Sequence, residues 1–230
     1  MIALLAVAGL MVGAALPWGI SRIPDRAPAD GEPAVTSYRE LSSLHGLPVI
    51  LGVSAAGIWA FMGLARAELS SALPAFLLVG ALGVAMAYVD IREHRLPDWL
   101  TYPALVGAAV ALAVAAGVDG EWGAYARAWA GAGACVAFYL FLAVLRPSDL
   151  GLGDVKLSAV IGLLLGWIGW PVLIFGVFSA FVVGALLGLL LIVAGRAGRR
   201  SAIPFGPPML VGMVLAVVWG QTLVDAYLTL

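Results

Sequence analysis

The stretch Leu157–Gly195, LSAVIGLLLGWIGWPVLIFGVFSAFVVGALLGLLLIVAG, runs for 39 residues without a charged side chain. A membrane-spanning helix takes about 20 mainly apolar residues. The run is therefore too long for one helix and predicts two. Gly169-Trp170-Pro171 is the natural break, because Gly and Pro punctuate helices and make tight turns. Six further uncharged runs of spanning length recur: Met1–Ile20, Leu47–Ala65, Leu69–Val89, Trp99–Val118, Ala128–Leu145 and Ser201–Val224. The pattern predicts an all-α polytopic membrane protein with about eight transmembrane helices. Composition points the same way. Hydrophobic residues make up 63% of the chain and charged residues 11%, against about 45–50% and about 25% in soluble domains.

Two regions follow. Residues 1–46 comprise the first membrane helix and a polar loop, Ser21–Gly46, rich in Pro, Asp and Arg and read as irregular; residues 47–230 form the main membrane domain. No basic residue precedes the apolar stretch of Met1–Ile20. A secretory signal carries such residues, so this stretch reads as a retained helix. With the N-terminus outside, Arg22, Arg26, Arg39, Arg92, Arg95, Arg146, Lys156, Arg196, Arg199 and Arg200 fall on the inner side, and only Arg66 and Arg127 on the outer. The positive-inside rule thus predicts an N-out, C-out topology. Gly9-x-x-x-Gly13, Gly162-x-x-x-Gly166 and Gly184-x-x-x-Gly188 predict close helix contacts.

Several functional classes drop out. A net charge of −1 offers no basic surface for nucleic acid; the bilayer is the first expected partner. Cys135 is the single cysteine and sits in an apolar run, so neither an intrachain disulfide nor a four-cysteine zinc site can form. His94 stands between Glu93 and Arg95 with no His-Glu-x-x-His around it. No metal or cofactor is expected.

Two acidic residues are placed unusually. Asp90 closes the third predicted helix in Tyr88-Val89-Asp90-Ile91-Arg92-Glu93-His94-Arg95-Leu96-Pro97-Asp98, and Asp154 opens the sixth in Leu150-Gly151-Leu152-Gly153-Asp154-Val155-Lys156-Leu157. Carboxylates are costly inside a membrane and much less so at its edge. The predicted topology puts both at the cytoplasmic edge, at one depth. That suits a pair in which one ionised carboxylate activates water while the other, protonated, polarises a carbonyl. It also suits two ordinary interfacial residues or helix caps, since Asp is a favoured N-cap. Position alone leaves both open. Gly151 and Gly153 give the backbone freedom just before Asp154.

The motifs around these residues go further. Gly151-x-Gly153-Asp154 with Val155-Lys156-Leu157 resembles the signature of the GxGD intramembrane aspartyl proteases, in the type IV prepilin peptidase branch. Asp90, five residues, then Leu96-Pro97-Asp98 resembles that family's first catalytic motif. Ile203-Pro204-Phe205-Gly206-Pro207 resembles its segment before the last helix. The resemblance spans about Leu47 to the end of the chain. It implies that Asp90 and Asp154 are the catalytic pair and that Gly151 and Gly153 shape the active-site turn. It puts Lys156 beside a carboxylate or near the substrate backbone, and gives Pro97 and Pro204 a part in loop geometry. Phe205, Gly206 and Pro207 are implied as a structural motif. Asp98 reads as a cap of the fourth helix.

The resemblance also implies a prokaryotic cytoplasmic (inner) membrane enzyme. Its substrate would be a prepilin or pseudopilin: a short basic leader followed by a hydrophobic helix, cut at the inner interface. Asp25, Asp30, Glu32, Glu40 and Asp149 are inner-side acids that could attract such a leader. Full-length relatives carry paired Cys-x-x-Cys motifs linked to zinc and N-methylation. Gly9–Pro24 looks like a remnant of that region, but no cysteine stands in Ser21–Gly46. The implied activity is therefore the peptidase alone. The rival readings are a transporter using intramembrane carboxylates, a GxGD peptidase with an archaellin-like substrate, and an inactive assembly scaffold.

Overall fold

The computed structural model describes residues 1–25, 36–65, 69–145, 150–196, 198 and 203–228. Arg26, Asp30, Glu32, Arg66, Arg146, Asp149, Arg199 and Arg200, which entered the topology and leader expectations above, lie outside the described residues. The described chain is helical throughout: α1 (Ile2–Ile20), α2 (Tyr38–Ser42), α3 (Leu47–Leu64), a 3-10 turn at Ser70–Ala72, α4 (Leu73–Glu93), α5 (Asp98–Asp119), α6 (Trp122–Leu145), α7 (Leu152–Ile168), α8 (Trp170–Val193) and α9 (Gly206–Leu228).

Seven of these helices are long and apolar enough to cross a membrane. The eighth expected span, α7, has 17 residues, or about 26 Å at 1.5 Å per residue. It is short because Gly169 ends it and starts α8 at the same residue, as the Gly-Trp-Pro break predicts. Twelve of its 17 residues are buried, so α7 is walled by its neighbours rather than by lipid. Along α7, Gly162 and Gly166 face Gly131 and Ala128 of α6. Gly9 and Gly13 of α1 rest on α3 at Ala55 and Leu51, and Gly184 of α8 lies under the Phe205 ring. The first two stripes thus meet helix backbone, as close helix packing requires, whereas Gly184 and Gly188 meet the side chains of Phe205 and Ile203 rather than another helix's backbone.

Two boundaries differ from expectation. α6 begins at Trp122, taking in Arg127, which the uncharged run Ala128–Leu145 leaves out. Its guanidinium is satisfied by the end of α7: Nε donates to the Gly166 carbonyl at 2.9 Å, and Nη2 to those of Trp167 at 2.6 Å and Ile168 at 3.4 Å. The polar loop is also less irregular than expected, since α2 forms within it. Ser37 caps α2 by accepting from the Glu40 N–H at 3.1 Å, the Ser-x-x-Glu signal of a helix start. Leu41 is buried, and its carbonyl accepts from the Tyr88 hydroxyl at 2.7 Å. This bond ties the loop to α4, two residues before Asp90.

Candidate active site

The last turn of α4 carries Asp90, which is 4% exposed. α4 closes at His94, whose φ of 51° and ψ of 40° are left-handed and whose N–H donates to the Asp90 carbonyl at 2.8 Å. That cap turns Arg95, Leu96 and Pro97 back across the end of the bundle. Pro97, with φ fixed near −69°, then starts α5. Its carbonyl accepts from Leu100 at 3.0 Å and Thr101 at 3.2 Å.

Asp154 stands in the first turn of α7 and is 8% exposed. It is not the N-cap. Its carboxylate reaches back to accept the Gly151 N–H at 3.1 Å, while its own N–H donates to the Gly151 carbonyl at 3.1 Å. The α7 terminus is thereby closed by the same side chain that faces the cleft. A Cβ on Gly153 would stand 3.0 Å from the Leu96 Cβ and 3.3 Å from its N, so glycine lets the first turn of α7 touch the turn after α4 there. Gly151 has φ −83° and ψ 156°, a conformation open to any residue.

The third motif approaches from the far end of the chain. Phe205 packs against Phe181 at 5.1 Å and the buried Tyr139 at 6.3 Å between ring centroids. This aromatic anchor holds the non-helical Ile203–Phe205 run, including Pro204, against the core. Gly206 follows, and its N–H donates to Asp90 Oδ2 at 2.9 Å. Pro207, which has no N–H to leave unpaired, then enters α9.

Asp90 and Asp154 line one cleft of about 380 Å³ together with His94, Arg95, Leu96, Gly151, Leu152, Gly153 and Lys156. The two carboxylates are close enough to interact electrostatically, and Asp154 also acts on the Tyr139 hydroxyl. Lys156 Nζ donates to Asp98 Oδ1 at 2.6 Å. Asp98, the first residue of α5, thus bridges to the helix of Asp154. Pro97, Pro204, Phe205 and Pro207 do not line the cleft; Gly206 reaches it through its bond to Asp90.

His94, Arg95 and Leu152 line the cleft although the motifs assign them no role, and Tyr139 backs it through Phe205. Arg95 and Leu96 come with the tight turn after α4, which the left-handed His94 decides. Tyr139 carried no motif of its own. Among the described residues, no group of three His, Cys, Asp or Glu side chains forms a metal-ligand set. The arrangement is that of two buried carboxylates, each held by one backbone N–H, with cationic side chains at the rim. Such a pair can share one proton and activate a water between them.

The type IV leader peptidase family (Peptidase_A24) matches residues 75–189, half of the chain. Proteins called prepilin leader peptidase/N-methyltransferase are similar. That of Burkholderia pseudomallei (strain K96243) is 36% identical over 178 residues, covering 74% of this chain and 52% of the relative. That of Aeromonas hydrophila is 32% identical over 165 residues, covering 68% and 53%. That of Stutzerimonas stutzeri is 32% identical over 151 residues, covering 63% and 49%. The chain spans about half the length of these relatives. No solved structure matches it.

Proposed function

Because this chain belongs to the type IV leader peptidase family, we propose that it is a membrane aspartyl endopeptidase that removes the short basic leader from prepilins or pseudopilins. The observation that carries the reading is the single cleft lined by two buried carboxylates, Asp90 and Asp154.

The two carboxylates hold one proton between them. The ionised one takes a proton from the water as its oxygen attacks the carbonyl carbon of the scissile bond. The protonated one gives its proton to the carbonyl oxygen. Collapse of the tetrahedral intermediate breaks the C–N bond: one of its hydroxyls returns a proton to the ionised carboxylate as a carbonyl re-forms, and the leaving nitrogen takes the proton held by the other, so the dyad ends with one proton as it began. The Gly206 and Gly151 N–H groups fix the carboxylates, so little reorganisation is needed at the moment of reaction.

In the N-out topology both carboxylates face the cytoplasm. A basic leader stays on that side by the positive-inside rule, which brings its junction with the following hydrophobic helix to the cleft. The proposed activity stops at cleavage. The relatives' names include N-methyltransferase, but the one cysteine of these 230 residues lies buried in α6 and cannot complete a four-cysteine zinc site.

The test is co-expression with a prepilin from the same genome, comparing the wild type with Asp90→Asn and Asp154→Asn. Both variants are expected to leave the leader uncut while folding normally. Leader removal by either single variant overturns the dyad. Methyl transfer from S-adenosylmethionine by the purified chain overturns the restriction to cleavage.

A further inference from the structure

A second concavity lies on the neighbouring flank of α4. It is an open apolar groove of about 500 Å³ bounded by α3, α4 and α9. One end is formed by Tyr88, Ile91 and Pro207; Ile91 and Pro207 directly follow Asp90 and Gly206, and Tyr88 stands two residues before Asp90. The other end is formed by Phe61 and Trp219, whose rings stand 6.1 Å apart. Pro207 and Trp219 are twelve residues apart on α9, which makes the groove about 18 Å long at 1.5 Å per residue. That is more than half of the bilayer's hydrocarbon core of about 30 Å.

The groove is therefore an apolar track that starts beside the carboxylates and runs into the membrane. Its α3 wall carries small residues one turn apart, Ser54 and Gly57. A Cβ on Gly57 would meet no atom within 4 Å, so the wall leaves room for another backbone to approach closely. Small residues at helical spacing are how membrane helices admit a partner helix.

Resting on the peptidase reading above, we infer that this groove receives the hydrophobic helix of the substrate. The reasoning is one of continuity. A peptide bond placed between Asp90 and Asp154 leaves an apolar helix starting within a few residues of it. That helix must leave the cleft into the bilayer, and the groove beginning at Tyr88, Ile91 and Pro207 is the apolar path next to Asp90 on the same two helices, α4 and α9. The leader stays on the side of the polar cleft, and the helix lies along α3, α4 and α9. One substrate chain thus occupies both concavities at once.

The test fills the groove and compares two substrates. Ser54→Leu and Gly57→Leu place side chains in open space, and Val182→Leu on the exposed face of α8 is the control. KM is measured for full-length prepilin in detergent micelles and for a short peptide that spans the cut site but lacks the hydrophobic helix. The ratio of full-length to peptide KM is expected to rise about tenfold in the groove variants, about 1.4 kcal/mol of lost binding, and to stay at the wild-type value in the control. An unchanged ratio overturns the inference while leaving the peptidase reading intact. A wild type that cuts neither substrate overturns both. A photo-crosslinker at Val53 or Val211 in the Asp154→Asn background gives an independent readout. A prepilin adduct through its hydrophobic helix is expected; lipid adducts alone overturn the inference and make the groove a lipid seat.

Discussion

The Gly206 N–H donates to Asp90 Oδ2 at 2.9 Å across 116 residues of sequence. A Cβ at Gly206 would lie 2.7 Å from that same oxygen. The close approach, not backbone freedom, is what requires glycine there. Gly206→Ala is therefore expected to push the carboxylate out of place while leaving the helices packed. A misplacement of about 1 Å can cost about 10²-fold in rate, so leader cleavage should fall by about that factor with the thermal midpoint little changed. Wild-type cleavage by the alanine variant would show that Asp90 does not depend on this contact.

Lys156 and Asp98 pair at 2.6 Å, with side chains 37% and 51% exposed. Exposed ion pairs are worth about 0–1 kcal/mol, so this bridge adds little to stability. Its position matters more, because it joins the start of α5 to the helix of Asp154. Lys156→Met and Asp98→Asn are each expected to slow cleavage without abolishing it, and the double variant should be no worse than the poorer single one. Additive losses in such a double-mutant cycle would mean the two residues act separately. Loss of all activity in Asp98→Asn, matching Asp90→Asn, would move Asp98 into the catalytic group.

Much of this architecture could be read from the chain because membrane helices announce themselves by uncharged length. The Gly169 break, the helix contacts at the Gly9/Gly13 and Gly162/Gly166 stripes and the placing of Asp90 and Asp154 at helix ends all follow from local sequence. What could not be read depends on distant backbone. No side-chain pattern says that the Gly206 N–H meets Asp90, or that the Leu41 carbonyl accepts from Tyr88. Arg127 misled in the other direction, since its charge marks a run boundary but its hydrogen bonds to three α7 carbonyls let it sit inside α6. α2 lies in a loop that its Pro, Asp and Arg content marks as irregular, because a five-residue helix is below the length at which apolar periodicity speaks.

Gly162 and Gly131 make the tightest backbone approach between α6 and α7. A Cβ on Gly162 would stand 2.6 Å from the Gly131 carbonyl oxygen and 2.9 Å from the Ala132 Cα. Backbone on one helix cannot rotate away as a side chain can. Gly162→Ala should force the pair apart and cost about 1–3 kcal/mol, the usual range for overpacking. Because α7 carries Asp154, the variant should lose cleavage as well as stability. Gly57→Ala, with no atom within 4 Å of its Cβ, is the matched control and should keep its thermal midpoint. Equal midpoints for the two variants would contradict the packing argument.

Arg127 closes the opposite end of α7. Helix C-termini leave carbonyls without intrahelical partners, and in α7 three of them, on Gly166, Trp167 and Ile168, accept from this one guanidinium. Hydrogen bonds to a charged group contribute about 1.5–3 kcal/mol, and the planar fork of Arg reaches several acceptors where an ammonium is a single point. Arg127→Ala is expected to lower the thermal midpoint clearly, and Arg127→Lys to recover only part of the loss. Asp154 stands at the other end of α7 from these bonds, so residual folded enzyme should cut prepilin with an unchanged KM. A lysine variant as stable as the wild type would mean that charge alone, rather than the forked geometry, secures the end of α7.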